Sequence, residues 1–397
     1  MPGRFRILHG TPNEEVVMES TDKKNKNRYL ISDFTIVSAL GRDNESAHAR
    51  MITGDTSGMK ELDGVITSGE KTFFGSVALT DEELAASPTR IGALIDAALL
   101  NLAPAVEDLK KRFSPERIGV ILGTSNSTLE EFRPPDKIDM SYPAMRIKEK
   151  CGLGGPCWAV STACSSGAKV FSSARRLIEN GVCDVVLVGG ADAMTRIVVN
   201  GFSALEAVSS TLTRPLSPSR DGINLGEGAA IFILRKADEG ESGVALLGVG
   251  ETSDAYHLTA PDPEGRGAEA AMRAALADAD LEPGEIDYVN LHGTGTTYND
   301  SMECAAVSRV FGADVLCSST KPLVGHALGA AGALEAALCC LAIRKGVGVP
   351  AHVTDEVDSS IAPFRTAEKG NAVKVNVALS NSFAFGGSNA SVIFGRL

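Results

Sequence analysis

The 397-residue sequence has no C-x-x-C pair, no apolar run long enough to cross a bilayer and no block of like charge. Its eight cysteines fall at irregular spacing. That argues against a zinc-ribbon or dithiol redox site and, in a chain of this length, fits reduced thiols in the cytoplasm. A spanning helix needs roughly 18 apolar residues. The most apolar stretch, 327–343, is interrupted by Glu335 and rich in small residues, so a buried core helix is expected there. Met1 to Gly10 is short and basic and lacks the apolar centre of a secretory signal. The net charge of −12 is dispersed along the chain, so neither nucleic acid nor membrane insertion is expected. Neither a G-x-G-x-x-G turn nor a phosphate loop is present, which removes the usual nucleotide and dinucleotide sites.

What is present is a folded pattern. Forty-one glycines accompany a 44% hydrophobic content, which implies tight turns within a packed core. Residues 1–27 are polar and end in a charged run, and are expected to be a flexible lead-in. From Tyr29 onward strands and helices alternate. Helical periodicity runs over 81–109, a strand over 117–122, and 124–150 reads as irregular. A strand at 157–160 leads to Cys164 and a helix that Gly181 stops, followed by a strand at 185–188. After a polar loop at 213–227 and a strand at 230–234, the rhythm repeats. Strands are expected at 244–249, 286–291 and 315–317, helices at 268–279, 300–311 and 327–344, and final strands at 373–379 and 390–394. This alternation predicts an α/β chain with a parallel or mixed sheet covered on both faces, although no residue-level repeat is visible.

Three residues carry a chemical suggestion. Cys164 lies in Thr162-Ala163-Cys164-Ser165-Ser166-Gly167, just before a helix, where unpaired N–H groups favour a thiolate without a neighbouring base. His292 follows a strand on a Gly-rich turn, and His326 is expected at the start of the small-residue helix, where the dipole keeps the ring neutral. Together they point to carbon–carbon bond chemistry on a thioester. Asp300 and Glu303 have the spacing of a helix cap. Lys321 shares the strand-to-helix connection of His326. Glu335, a lone charge on an apolar helix, requires a buried partner such as a cation.

The motifs around these residues, with Lys321, Gly325-His326 and Asn381-Ser382-Phe383-Ala384-Phe385-Gly386-Gly387 added, resemble the β-ketoacyl-acyl carrier protein synthases over most of residues 29–397. These are the elongating Cys-His-His condensing enzymes of the thiolase-like superfamily. The resemblance implies a five-layered thiolase-like fold of two pseudo-symmetric α-β-α-β-α halves, 28–240 with the cysteine and 241–397 with both histidines. It implies decarboxylating Claisen condensation of an acyl-enzyme with malonyl-acyl carrier protein, giving β-ketoacyl-acyl carrier protein and CO2 in fatty-acid or polyketide-type elongation. Cys164 would accept the acyl group, and His292 and His326 would bind the malonyl carbonyl. Lys321 would order the second histidine. Phe385 would be a gate whose N–H, with that of Cys164, stabilises the oxyanion. Thr294, Thr296, Phe202, Asp254 and His257 would line the substrate and phosphopantetheine path, and Asp300 and Glu303 would form a supporting network. Asn290, Glu335, Ser380 and Asn389 match a structural sodium or potassium site; no other cofactor is implied.

The implied partners are an acyl carrier protein and a second synthase subunit, as a homodimer or as a heterodimer with a related chain. Two features depart from the pattern. Ala384 stands where glycine is usual, which questions the mobility of the Phe385 loop, and the segment between Gly123 and Cys157 is short. Both hint at a specialised polyketide, aryl-polyene or modified-lipid member. Two alternatives remain. A thiolase-type acyltransferase would need a second cysteine in the C-terminal turn, which has none. A chain-length-determining partner subunit would normally have lost its nucleophile.

Overall fold

The computed structural model describes residues 29–129 and 138–397. The lead-in expected at 1–27 and the Pro134-Pro135 stretch lie outside the described residues.

The first part of the chain forms β1 (Tyr29–Val37), α1 (Asn44–Thr53), β2 (Met59–Leu62), β3 (Thr72–Gly75), α2 (Asp81–Ala85), α3 (Arg90–Arg112) and β4 (Ile118–Gly123). It continues with α4 (Tyr142–Cys151), β5 (Cys157–Val160), α5 (Ser166–Glu179), β6 (Val185–Asp192), α6 (Arg196–Ala204), β7 (Leu225–Gly226) and β8 (Gly228–Lys236). Then come β9 (Val244–Ser253), α7 (Arg266–Ala279), β10 (Tyr288–Leu291), α8 (Thr297–Phe311), β11 (Leu316–Ser319) and α9 (Lys321–Val324). The chain closes with α10 (Ala331–Lys345), β12 (Arg365–Thr366), β13 (Val377–Phe383) and β14 (Ser388–Arg396).

The strand order exposes a repeat that the residues conceal. Before Lys236 the main sheet runs β5-β4-β6-β8-β1; after Val244 it runs β11-β10-β13-β14-β9, with the two-residue β12 outside β11. Counted in chain order within each set, and leaving β12 aside, both are third-second-fourth-fifth-first. In both sets the fifth strand is antiparallel to its neighbours and the second, third and fourth are parallel. The sets join through the antiparallel pairs Tyr29–Leu246, Leu30–Ala245 and Ile31–Val244.

Helices α5 and α10 pack on each other, and each touches strands of both sets. They form the middle of five layers, with α3 and α4 outside one sheet and α7 and α8 outside the other. Small residues allow the close central packing. A Cβ on Gly167 would meet the Ala333 nitrogen and the Gly329 oxygen at 2.8 Å, and one on Gly332 would meet the Ala168 nitrogen at the same distance. The thiolase-like architecture is as expected.

Several boundaries differ for physical reasons. The helical periodicity over 81–109 breaks at Ser87-Pro88, where proline cannot donate. The stretch read as irregular contains α4, because Pro143 sits in the first turn, where its missing N–H is not needed. Helix α8 begins at Thr297, three residues earlier than expected. The segment expected as one helix over 327–344 starts as a 3-10 turn, Leu328–Ala330, before α10. Residues 373–376 precede β13 rather than belonging to it.

Candidate active site

Cys164 lies two residues ahead of α5, on a turn where Ala163 takes a left-handed φ of 52°. Such a conformation costs a non-glycine residue about 1–2 kcal/mol. The turn is held by Ser166, whose main-chain N–H and Oγ both donate to the Ala163 carbonyl, at 3.1 and 2.6 Å. Thr162 N–H donates to Ser166 Oγ at 2.8 Å. The nucleophile turn is thus fixed from inside its own motif.

His326 does not start a helix. It lies between α9 and the 3-10 turn, its N–H donating to the Asn224 carbonyl at 2.7 Å and its carbonyl accepting from Gly226 N–H. Its Nε2 stands 3.0 Å from Cys164 Sγ. The His292 ring meets that of His326 edge-on, with centroids 5.2 Å apart, and ligand atoms of all three side chains lie within 4.8 Å of one another. They line one cavity of about 320 Å³, together with Thr294, Thr296, Phe202, Asp254 and Phe385.

The electrostatics correct the expected activation. Burial pushes the Cys164 thiol up to about 12, opposed by Lys321 and reinforced by Glu335 and Asp192. A helix terminus contributes only about 0.3–1 kcal/mol and is outweighed. Burial thus favours the protonated thiol, with the His326 imidazole 3.0 Å from it. Both histidines are held well below the ordinary imidazole range, by burial first and then by the Lys321 ammonium. The rings are neutral, as expected, but burial and a nearby cation are the cause rather than a helix dipole.

Residues 60–240 match the N-terminal domain and residues 244–354 the C-terminal domain of the Beta-ketoacyl synthase family. The chain belongs to that family. It is 39% identical over 298 residues to Nodulation protein E of Rhizobium meliloti, covering 70% of this chain and 74% of that protein. It is 32% identical to the 3-oxoacyl-[acyl-carrier-protein] synthase 2 of Rhizobium meliloti strain 1021, over 93% of this chain and 99% of the relative. Among solved structures it superposes on a ketosynthase in complex with its chain length factor from Xenorhabdus doucetiae. The TM-score is 0.86 at 37% identity, covering 94% and 98% of the two chains.

Around this family pocket the polar support differs from the sequence expectation. Asp300 and Glu303 do not cap α8; both are buried and clamp the loop ahead of it. Glu303 accepts the N–H groups of His292 and Gly293 at 2.8 and 2.7 Å, and Asp300 accepts those of Leu216 and Gly295 at 2.9 and 3.2 Å. Burial raises Glu303 to about 7. A glutamine there keeps one acceptor and turns an NH2 toward a donor. Glu303→Gln should therefore cost about 1–3 kcal/mol of stability, read by thermal unfolding; an unaltered melt counts against the clamp.

Lys321, expected to order His326, makes no hydrogen bond to it among the described residues. Its ammonium donates to the His292 carbonyl at 2.6 Å and pairs with Glu335, both side chains buried. The buried partner that Glu335 requires is thus this lysine.

Of the expected cation ligands, Glu335 Oε2, Ser380 Oγ and the Asn290 NH2 are buried and without a hydrogen-bond partner among the described residues. Asn290 and Ser380 face each other in register on β10 and β13. Asn389 does not join them: its Nδ2 donates to Asp254 Oδ1 at 2.8 Å, in the pocket wall. Asn381, to which the sequence motif assigns no role of its own, donates to Glu303 Oε1 at 3.2 Å.

The Phe385 and Phe202 rings meet in the cavity wall with centroids 5.6 Å apart and planes tilted by 33°. Ala384 has φ −111°, an ordinary extended value, so it takes this position without strain. The Phe385 loop is tied to the loop carrying Asp254, since Asp254 N–H donates to Gly387 O and Gly386 N–H to Leu258 O, both at 2.7 Å. His257 is not brought to the pocket; it is exposed and accepts a bond from Thr259 N–H. Asp192 lies outside the motifs named above. A carboxylate closing a fully buried strand, after Gly189-Gly190-Ala191, is the signal that marks it.

Proposed function

We infer that the chain elongates acyl chains by decarboxylating condensation with a malonyl thioester on an acyl carrier protein. The observation that carries this is the convergence of one thiol and two neutral imidazoles in a single pocket, with Sγ 3.0 Å from Nε2. As Sγ attacks the acyl carrier thioester, its proton goes to the departing carrier thiolate, leaving a thioester on Cys164. The malonyl carrier then enters. Its C–C bond to the carboxylate breaks, CO2 leaves, and the electron pair moves onto the thioester oxygen as an enolate. The His292 and His326 rings each offer it one N–H. The enolate carbon attacks the acyl-cysteine, the Cys164 and Phe385 N–H groups receive the oxyanion, the C–S bond breaks, and the released Cys164 thiolate takes a proton from water. A preorganised donor of this kind is worth about 3–4 kcal/mol of barrier.

Thr294 and Thr296, 3.0 Å apart through their hydroxyls, form the polar wall suited to the phosphopantetheine arm. A sodium or potassium ion would be held by Glu335 and Ser380, whose free oxygens suit a hard cation, and by Asn290 if its side-chain amide turns its oxygen inward in place of the unpartnered NH2. Its role would be structural, giving partners to buried oxygens that the described residues leave unsatisfied.

The outer edge of β5, which pairs with no further strand among the described residues and carries the part-exposed Trp158, supports pairing with a second subunit. That subunit is a second copy or a related chain, as in the Xenorhabdus complex of a ketosynthase with its chain length factor. Eight free cysteines, and the lack among described residues of any helix able to span a membrane, support a cytoplasmic setting. The natural acyl group is polyketide-like or fatty, and the experiment that selects it also tests the reaction. Purified protein is given a panel of acyl carrier thioesters with malonyl carrier. The expected product is a β-ketoacyl carrier two carbons longer, with one CO2 released per product; CO2 release without lengthening contradicts the assignment.

A further inference from the structure

Asp192 is fully buried and faces no cation among the described residues, yet its carboxylate accepts from several donors. Oδ1 receives Thr124 Oγ1 at 2.6 Å, Asn126 N–H at 2.9 Å and Ser125 N–H at 3.1 Å. Oδ2 receives Ser125 N–H at 2.8 Å and Gly329 N–H at 2.7 Å. The two oxygens therefore hold two different segments. On one side Ser125, through its Oγ, donates at 3.2 Å to the carbonyl of Ala163, the residue before the nucleophile. On the other, Gly329 lies three residues after His326, on the turn where Leu328 takes a left-handed φ of 51°. Both reacting side chains are thus approached from one anion at the end of β6.

We propose that Asp192 is a positioning residue for the condensation, its carboxylate setting the separation of the Cys164 thiol from the His326 imidazole. The proposal rests on the function assigned above. All contacts on the carboxylate are donated to it and none requires it to donate, so it acts as an anion. Its charge also bears on the thiol. Cys164 is faced by His292 and His326, by Lys321, which lowers its pKa, and by Glu335 and Asp192, which raise it. Removing the Asp192 charge while keeping its shape takes away one negative charge that raises the thiol. The thiol should then ionise at lower pH.

The test separates this role from the reaction itself. Alkylation of Cys164 by iodoacetamide, read by peptide mass across pH, needs no condensation. Asp192→Asn should move the alkylation inflection to lower pH, and lower kcat by up to about 10²-fold through displaced reacting groups, with KM for the acyl carrier little changed. Asp192→Glu keeps the charge and should keep the wild-type inflection while recovering part of kcat. Ser125→Ala cuts only the link to Ala163. It should lower kcat without moving the inflection, and it keeps the proposal testable if Asp192→Asn does not fold. An unmoved inflection in folded Asp192→Asn, or unaltered kcat in Ser125→Ala, overturns the proposal. Wild-type alkylation at Cys164 without any condensation would instead undo the assigned function.

Discussion

Cys164→Ala should acquire no acyl mass from any acyl carrier thioester, and its condensation rate should fall on the order of 10⁴-fold or more, as when a covalent nucleophile is removed elsewhere. The reason is that the other cysteines do not substitute. Cys183, Cys304, Cys317, Cys339 and Cys340 are buried, burial raises their thiols, and none lines the cavity. Cys151 and Cys157 also lie outside it. Intact-mass measurement after incubation with the carrier panel gives the answer directly. An acyl adduct persisting on Cys164→Ala would place the acceptor elsewhere and end the mechanism.

His292→Ala and His326→Ala should each slow CO2 release from malonyl carrier protein by about 10²–10³-fold, the effect of losing one preorganised donor to a developing oxyanion. The two variants should differ in one respect. His326 also stands beside Sγ, so only its removal should slow acyl transfer to Cys164 as well.

The pH dependence follows from the same burial. An ordinary imidazole is half protonated near pH 6.5, and both rings here are held well below that value. They bind no proton as the pH falls from 7.5 to 6.5, so their ring NMR signals should not titrate over that range, although the buried Glu303 and Glu335 carboxyls, raised to about 7, do. Ring signals that move with a midpoint near pH 6.5 would show ordinary imidazoles and contradict the neutral pair. The same shift fixes the sign for stability. Unfolded histidines take up protons that the folded rings refuse, so these two residues lower stability as pH falls below about 6.5.

Legibility in the sequence varied with the range over which each feature is determined. The turn around Cys164 could be read locally, because Ser166 closes it within four residues. The helix over 166–179 and the strand after it were visible for the same reason. The boundary of α8 was misplaced because Asp300 and Glu303 have cap spacing, while their actual partners are main-chain groups of Leu216 and of the 292–295 loop. Asn389 was misplaced because a motif does not show that its amide turns toward Asp254. Asp192 went unnoticed because all its donors lie more than sixty residues away in sequence.

The amino-acid order by itself determined the nucleophile, the two imidazoles, the alternation of strands and helices, and the family. Each of these is written in short runs whose turn geometry and periodicity are local. Only the tertiary structure decided that Lys321 bonds the His292 carbonyl, that burial raises the thiol beside an imidazole, and which strand order the two halves implied by the resemblance share. Those properties depend on desolvation and on which distant segments the two sheets bring against α5 and α10, and neither is encoded at any single position.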